Sequence, residues 1–235
     1  MLIYQKFNNI IKSICLVSSI FLFSTLQATA NPILDGAKIG EWTMDYEAAL
    51  KLAKKKNTNI LIKFTTKQCS NCKVLEKNIL QKKEFIEFAK SNLVLIWLDY
   101  SKKYKITPEK YITRNEILAE IYNIRGYPEL IYLESDGKTL IGKLGNRGDA
   151  KGFIKKLKAL EAITPKGMEK YIQANPDKAS AFKKAISKLK ESEDNFSDWL
   201  LTKPKKSKEN DVIHQQMMSN INVLSKSLMN VVLEN

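Results

Sequence analysis

Cys69 and Cys72 stand where a buried-strand pattern gives way to a helix pattern. The apolar run Ile60-Leu61-Ile62-Lys63-Phe64 precedes them, and Leu75, Ile79 and Leu80 follow at helical spacing. A thiol at a helix N-terminus meets unpaired N–H groups and the positive end of the helix dipole, which favour the thiolate. A second thiol one turn on is placed to attack any mixed disulfide that the first one forms. The chain must therefore fold so that strand, cysteine pair and helix follow one another without a break. Two metal readings stand beside this redox reading. A structural zinc site wants four ligands, and beyond the first thirty residues the chain adds only His214 to the pair. Monovalent copper tolerates two thiolates, so a binding or copper-handling module with the pair as ligands is the alternative.

The first thirty residues read differently from the rest. Lys6 and Lys12 are their only charges, Ile14 to Leu26 is a run of 13 uncharged residues, and Ala28-Thr29-Ala30 follows. This is the layout of a secretory signal peptide, so residues 1–30 are expected to be removed after Ala30 and the protein exported to the periplasm or another extracytoplasmic space. The alternative, an uncleaved anchor, asks for about 20 apolar residues, more than the run provides. Cys15 would leave with the signal, and Cys69 and Cys72 would be the cysteines of the mature chain. A bridge between them closes too short a loop to stabilise a fold much, so the pair is better explained by chemistry than by scaffolding.

The net charge is +14, most of it lysine dispersed along the chain. Dispersal without aromatic interleaving reads as a solvated surface, and no nucleic-acid partner is expected. No glycine-rich phosphate loop is present, so no organic cofactor is expected, and no metal is assigned.

Periodicity orders the elements. Trp42 to Lys56 has helix spacing, with Tyr46, Ala49, Leu50 and Ala53 on one face. Asn59 to Thr66 and Leu93 to Leu98 are buried-strand candidates, with a helix over Val74 to Lys82 between them. Thr107-Pro108-Glu109 marks a helix start, with Thr107 as the cap and the helix ending near Asn123. Glu129 to Glu134 and Thr139 to Leu144 flank the turn Ser135-Asp136-Gly137-Lys138, and Asp149 to Leu160 closes with a helix. Alternation in the first half predicts parallel pairing, and the hairpin adds an antiparallel edge. Residues 161–235 are expected to be an all-α extension, with helix starts at Thr164-Pro165 and Asn175-Pro176 and a polar loop over Thr202 to Asn210. The apolar stripe Met217, Ile221, Leu224, Leu228 and Val231 suits packing on the same chain or a homodimer through the last helix.

Trp42, the Tyr46 to Lys54 segment, Ile60 to Phe64 and Cys69-Ser70-Asn71-Cys72-Lys73 resemble the thioredoxin superfamily, in particular an exported branch with an alanine- and lysine-rich first helix. Ile121 to Pro128 resembles the segment ending in that family's cis-proline, and Leu130 to Gly145 its closing hairpin. The resemblance spans about Ala37 to Leu160 and implies an α/β thioredoxin fold, a central mixed β-sheet flanked by helices, over residues 31–160. It implies a thiol–disulfide oxidoreductase in which Cys69 and Cys72 are catalytic, with protein thiols or disulfides as substrates and a membrane electron donor or acceptor. It further implies that Pro128 is cis and that Tyr127 and Pro128 bind substrate. Three departures matter. Gln68 stands where many relatives carry tryptophan. Ser70-Asn71 matches the dipeptide of neither strong reductants nor strong oxidants, so direction does not follow from it. Lys63 occupies the place of a buried acid, and Lys63 and Lys73 are candidate tuning residues, with Lys67 a further flanking charge. Lys63 has two readings, a buried amine of lowered pKa or a side chain whose ammonium snorkels to water.

Overall fold

The computed structural model describes residues 31–233, so the expected signal peptide and its cleavage point lie outside the described residues. Five strands form one mixed sheet: β1 (Trp42–Thr43), β2 (Asn59–Thr65), β3 (Leu93–Asp99), β4 (Glu129–Leu133) and β5 (Leu140–Leu144), in the order β1-β3-β2-β4-β5. β1 and β2 run parallel to β3, whereas β4 is antiparallel to both β2 and β5. The helices of this half are α1 (Tyr46–Lys56), α2 (Ser70–Leu75), α3 (Lys83–Asn92), α4 (Glu109–Ile121) and α5 (Ala150–Ala162).

Strand alternation sends residues to two cores, one on each face of the sheet. Ile60, Ile62, Phe64, Val94, Ile96 and Leu98 pack with Ala49 and Ala53 of α1 and Leu118 of α4. Leu61, Leu95, Leu130 and Tyr132 pack on the opposite face with Leu75, Phe85, Phe153 and Leu157. That second face is the one on which the cysteine-bearing helix lies.

Several boundaries differ from expectation for local reasons. Trp42 is not helical: β1 pairs with β3, and the Asp45 carboxylate accepts from the Ala48 N–H at 3.0 Å, which starts α1 four residues later than the apolar spacing suggested. The single helix expected over Val74 to Lys82 is a short α-helix, α2, running into a π-helical turn over Glu76–Leu80. An unanticipated helix, α3, follows, burying Phe85 and Ala89. Thr107 does not cap α4: its hydroxyl donates to the Asp99 carbonyl at 2.6 Å, and Pro108 holds the cap position.

The remainder is helical: α6 (Pro165–Ala174), α7 (Ala179–Leu201) and α8 (Lys208–Leu233). Thr164 caps α6 with Pro165 in its first turn. Asn175 closes α6 rather than opening the next helix, which begins at Ala179 after a turn. A third core joins Ala159 and Ala162 of α5 to Tyr171, Phe182, Leu189, Leu228 and Val232. Ile221, Leu224, Leu228 and Val231 of the last helix's apolar stripe thus pack within the chain. Among the described residues no helix is long and apolar enough to cross a membrane.

Candidate active site

β2 ends at Thr65, and four residues later the chain turns into α2 with Cys69 as its N-cap. The Cys72 N–H donates to the Cys69 sulfur at 3.0 Å, so the first sulfur takes the place of a capping oxygen. Cys69 and Cys72 are joined in a disulfide, with Cα atoms 5.2 Å apart. Their environments differ: Cys69 is partly exposed, whereas Cys72 is 3% exposed. Cys69 presents surface to solvent and Cys72 almost none. Lys67 and Lys73 flank the pair as exposed charges.

The Tyr127–Pro128 peptide is cis. Tyr127 stacks on Tyr100 with ring centres 5.5 Å apart, and Tyr100 in turn stacks on Phe64 near the end of β2. Aromatic packing therefore ties the proline loop to the strand that delivers the cysteines. A cleft of about 460 Å³ opens beside the proline, lined by Gly126, Tyr127, Glu129, Lys143 and Gly145 among others.

Lys63 does not snorkel. Its side chain is 0% exposed, and its ammonium donates to a Glu76 carboxylate oxygen. The same ammonium lies 3.6 Å from the centre of the Trp97 ring and 4.5 Å from that of Trp42. Burial pushes the Lys63 pKa down, while the charges of Glu76 and Asp99 work against that shift. Glu76 is four residues beyond Cys72, hence on the same side of the helical segment, and its backbone N–H bonds to the Cys72 carbonyl. The amine is therefore paired to the element that holds the second cysteine.

Glu76, Asp99, Trp97 and Tyr100 were missed by sequence reasoning. Only Glu76 carried a usable signal, its spacing from Cys72; the other three are brought in by strand register and by the loop after β3. No group of three or more potential metal-ligating His, Cys, Asp or Glu side chains occurs among the described residues.

A thioredoxin-like domain family model matches residues 46–161. A disulfide bond reductase DsbH from Chlamydia pneumoniae is 30% identical over 115 residues, which is 48% of this chain and 69% of that relative. A solved structure described as a DsbH oxidoreductase aligns at 25% identity with a TM-score of 0.48, covering 61% of this chain and 94% of the other. A thioredoxin from Thermus thermophilus aligns at 20% identity and a TM-score of 0.41, covering 54% of this chain and 88% of the other. The match at 30% identity, covering more than two thirds of the Chlamydia relative, together with a family model that spans strand, cysteine pair and hairpin, places this chain in the thioredoxin-like family.

Proposed function

We propose that this chain is an exported thiol–disulfide oxidoreductase that reduces disulfides in other proteins. The observation that carries the reading is the asymmetry of the pair: a partly exposed Cys69, its sulfur capped by a backbone N–H, joined to a buried Cys72. In the reduced form the Cys69 thiolate attacks a substrate disulfide, forming a mixed disulfide and releasing one substrate thiolate. The Cys72 thiolate then attacks the Cys69 sulfur, which frees the second substrate thiol and leaves the Cys69–Cys72 disulfide. Two electrons and two protons from a partner dithiol restore the starting state, and for an extracytoplasmic protein that dithiol belongs to a membrane electron donor. The N–H that caps Cys69 favours negative charge on its sulfur.

Tyr127 and Pro128 hold the substrate segment on the other wall, where the backbone beside Tyr127 can pair with an extended chain. Lys63 and Lys73 tune the couple. Lys63 does so as a cation in a water-excluded pocket, where its charge acts at low dielectric, and Lys73 as an exposed charge next to Cys72. The reductive direction is suggested by the relative's name, and export by residues 1–30. The proposed organisation is a signal at 1–30, a catalytic domain at 31–160 and a helical extension at 161–235. A homodimer through α8 would use its outward side, where Val212 and Val223 are exposed.

The test is a trap. Cys72→Ala should accumulate mixed disulfides with client proteins that vanish on treatment with dithiothreitol, and Cys69→Ala should accumulate none. Absence of mixed disulfides in Cys72→Ala would reject the enzyme reading in favour of a binding module.

A further inference from the structure

The segment after β3 is built onto both walls of the site. At one end the Tyr100 N–H donates to the Thr65 carbonyl, and the Tyr100 ring stacks on Tyr127 beside Pro128. On the cysteine side, the Lys67 N–H donates to the Ser101 hydroxyl at 2.6 Å, two residues before Cys69. The Lys67 ammonium sits 4.6 Å from the centre of the Tyr104 ring, with Lys103 on the same ring at 6.0 Å. The Thr107 hydroxyl, bonded to the Asp99 carbonyl, closes the loop. The result is a fixed rim beside the cysteines carrying Lys67, Lys102, Lys103 and Lys105, all exposed, around a Tyr104 that is 43% exposed.

Three acids of the site are engaged elsewhere. Asp99 is 4% exposed and accepts from the Ser101 N–H. Glu76 is paired with Lys63, and Glu129 with Lys143 at 3.3 Å. Four exposed cations and a half-exposed tyrosine are thus carried by segments bonded to the turn that leads into Cys69. Charges on a docked chain that come within a Debye length of these ammonium groups, about 10 Å at 0.1 M salt, feel their field.

We propose that this rim selects protein disulfides flanked by acidic residues. The inference rests on the oxidoreductase reading and names its substrate class. The lysines draw acidic flanks toward Cys69 and hold them there, while Tyr104 offers an apolar face to the adjoining chain. The effect falls on encounter and binding, hence on kcat/KM, and it weakens with salt.

The test uses the full chain and three disulfide-linked peptides identical except for flanks of aspartate, serine or lysine. The aspartate peptide should be reduced roughly 5–10-fold faster than the serine peptide at low ionic strength, with the lysine peptide slowest and the order collapsing at high salt. In K102E/K103E the ratio of aspartate to serine rates should fall to unity or below. K205E/K206E makes the same change in net charge in the loop between α7 and α8, and should keep the wild-type ratio. Equal rates on the three peptides, or equal changes in both double variants, would overturn the rim. If the wild type fails to reduce even the serine peptide, the oxidoreductase reading itself falls and the rim with it.

Discussion

Lys63 and Trp97 face each other in register across β2 and β3, with the ammonium 3.6 Å from the centre of the indole. Glu76 supplies the counter-charge from the turn that follows the cysteine helix. A fully enclosed cation is expensive to keep unless it is paired, and here it has a carboxylate and two indole faces. Lys63→Met should keep the volume and remove the charge, leaving Glu76, whose side chain is 23% exposed, free to turn toward water. With the cation gone, thiolate in the reduced pair loses support and the disulfide is favoured. The expected outcome is a thiol titration displaced to higher pH and a more negative reduction potential, about 30 mV for each tenfold change in the exchange equilibrium. Equilibration against glutathione measures it, and an unchanged titration and potential would remove Lys63 from the tuning role.

The same residue makes stability depend on alkaline pH. Burial holds the Lys63 pKa below its ordinary 10.5. Below the lowered pKa the buried ammonium is present in full, and so is its cost. As pH rises from there toward 10.5, the folded protein gives up a proton that the unfolded chain still holds, so stability rises across that window. Three tyrosines pull the other way: desolvation raises the pKa of half-buried Tyr100 and Tyr122 and of buried Tyr132, so their contribution is lost as pH climbs past the ordinary tyrosine range. The quantity to read is therefore the difference between wild type and Lys63→Met. Urea midpoints taken at steps up to pH 10.5 should show the wild type gaining stability relative to Lys63→Met as pH rises, and a constant gap would contradict it.

The parts of this fold that were legible in the sequence are those where one local rule decides the outcome. β2 and β3 are continuous apolar runs bounded by polar residues, and a sheet covered on both faces is where such runs go. Thr164-Pro165 opens α6 because the hydroxyl and the proline satisfy the same helix start. Asp136 shaped the hairpin turn in the same way: its carboxylate takes the Lys138 and Thr139 N–H groups, beside Gly137 at φ +71°. What was not legible depends on distant partners. Trp42 reads as helical until β3 pairs with it, and Thr107 reads as a cap until Asp99 takes its hydroxyl. The cysteines were visible because strand, pair and helix are consecutive, whereas the pocket around Lys63 combines residues from β1, β2, β3 and the π turn.

Gly167 tests how tightly the helical extension is seated. It lies in the first turns of α6, and a Cβ added there would fall 1.8 Å from the Glu161 carbonyl oxygen, a backbone atom that cannot swing aside. Gly167→Ala should therefore force the α5–α6 elbow open and destabilise the protein by about 2–4 kcal/mol, in the range of severe overpacking. Chemical denaturation measures the loss. A cost within 0.5 kcal/mol of zero, as at an ordinary surface site, would mean that the elbow yields freely.

Phe182 tests whether α6, α7 and α8 are energetically separable from the sheet. Its ring is 0% exposed and packs on Tyr171 with centres 4.3 Å apart, at the middle of the core that joins α5 to α6, α7 and α8. Truncation of a buried phenylalanine typically costs about 3–5 kcal/mol, through lost burial and the cavity left behind. Because the sheet cores draw nothing from α6, α7 or α8, Phe182→Ala should lower the unfolding temperature of the extension and leave that of the sheet nearly in place. Tryptophan placement makes the two halves readable: Trp42 and Trp97 lie in strands of the sheet and Trp199 in α7. With Trp199→Phe as the partner variant, the α7 fluorescence change should precede that of the sheet in Phe182→Ala, and disulfide reduction should survive the first transition. Coincident transitions at every probe, with activity lost at the first, would show instead that α5 couples the last three helices to the sheet as one cooperative unit.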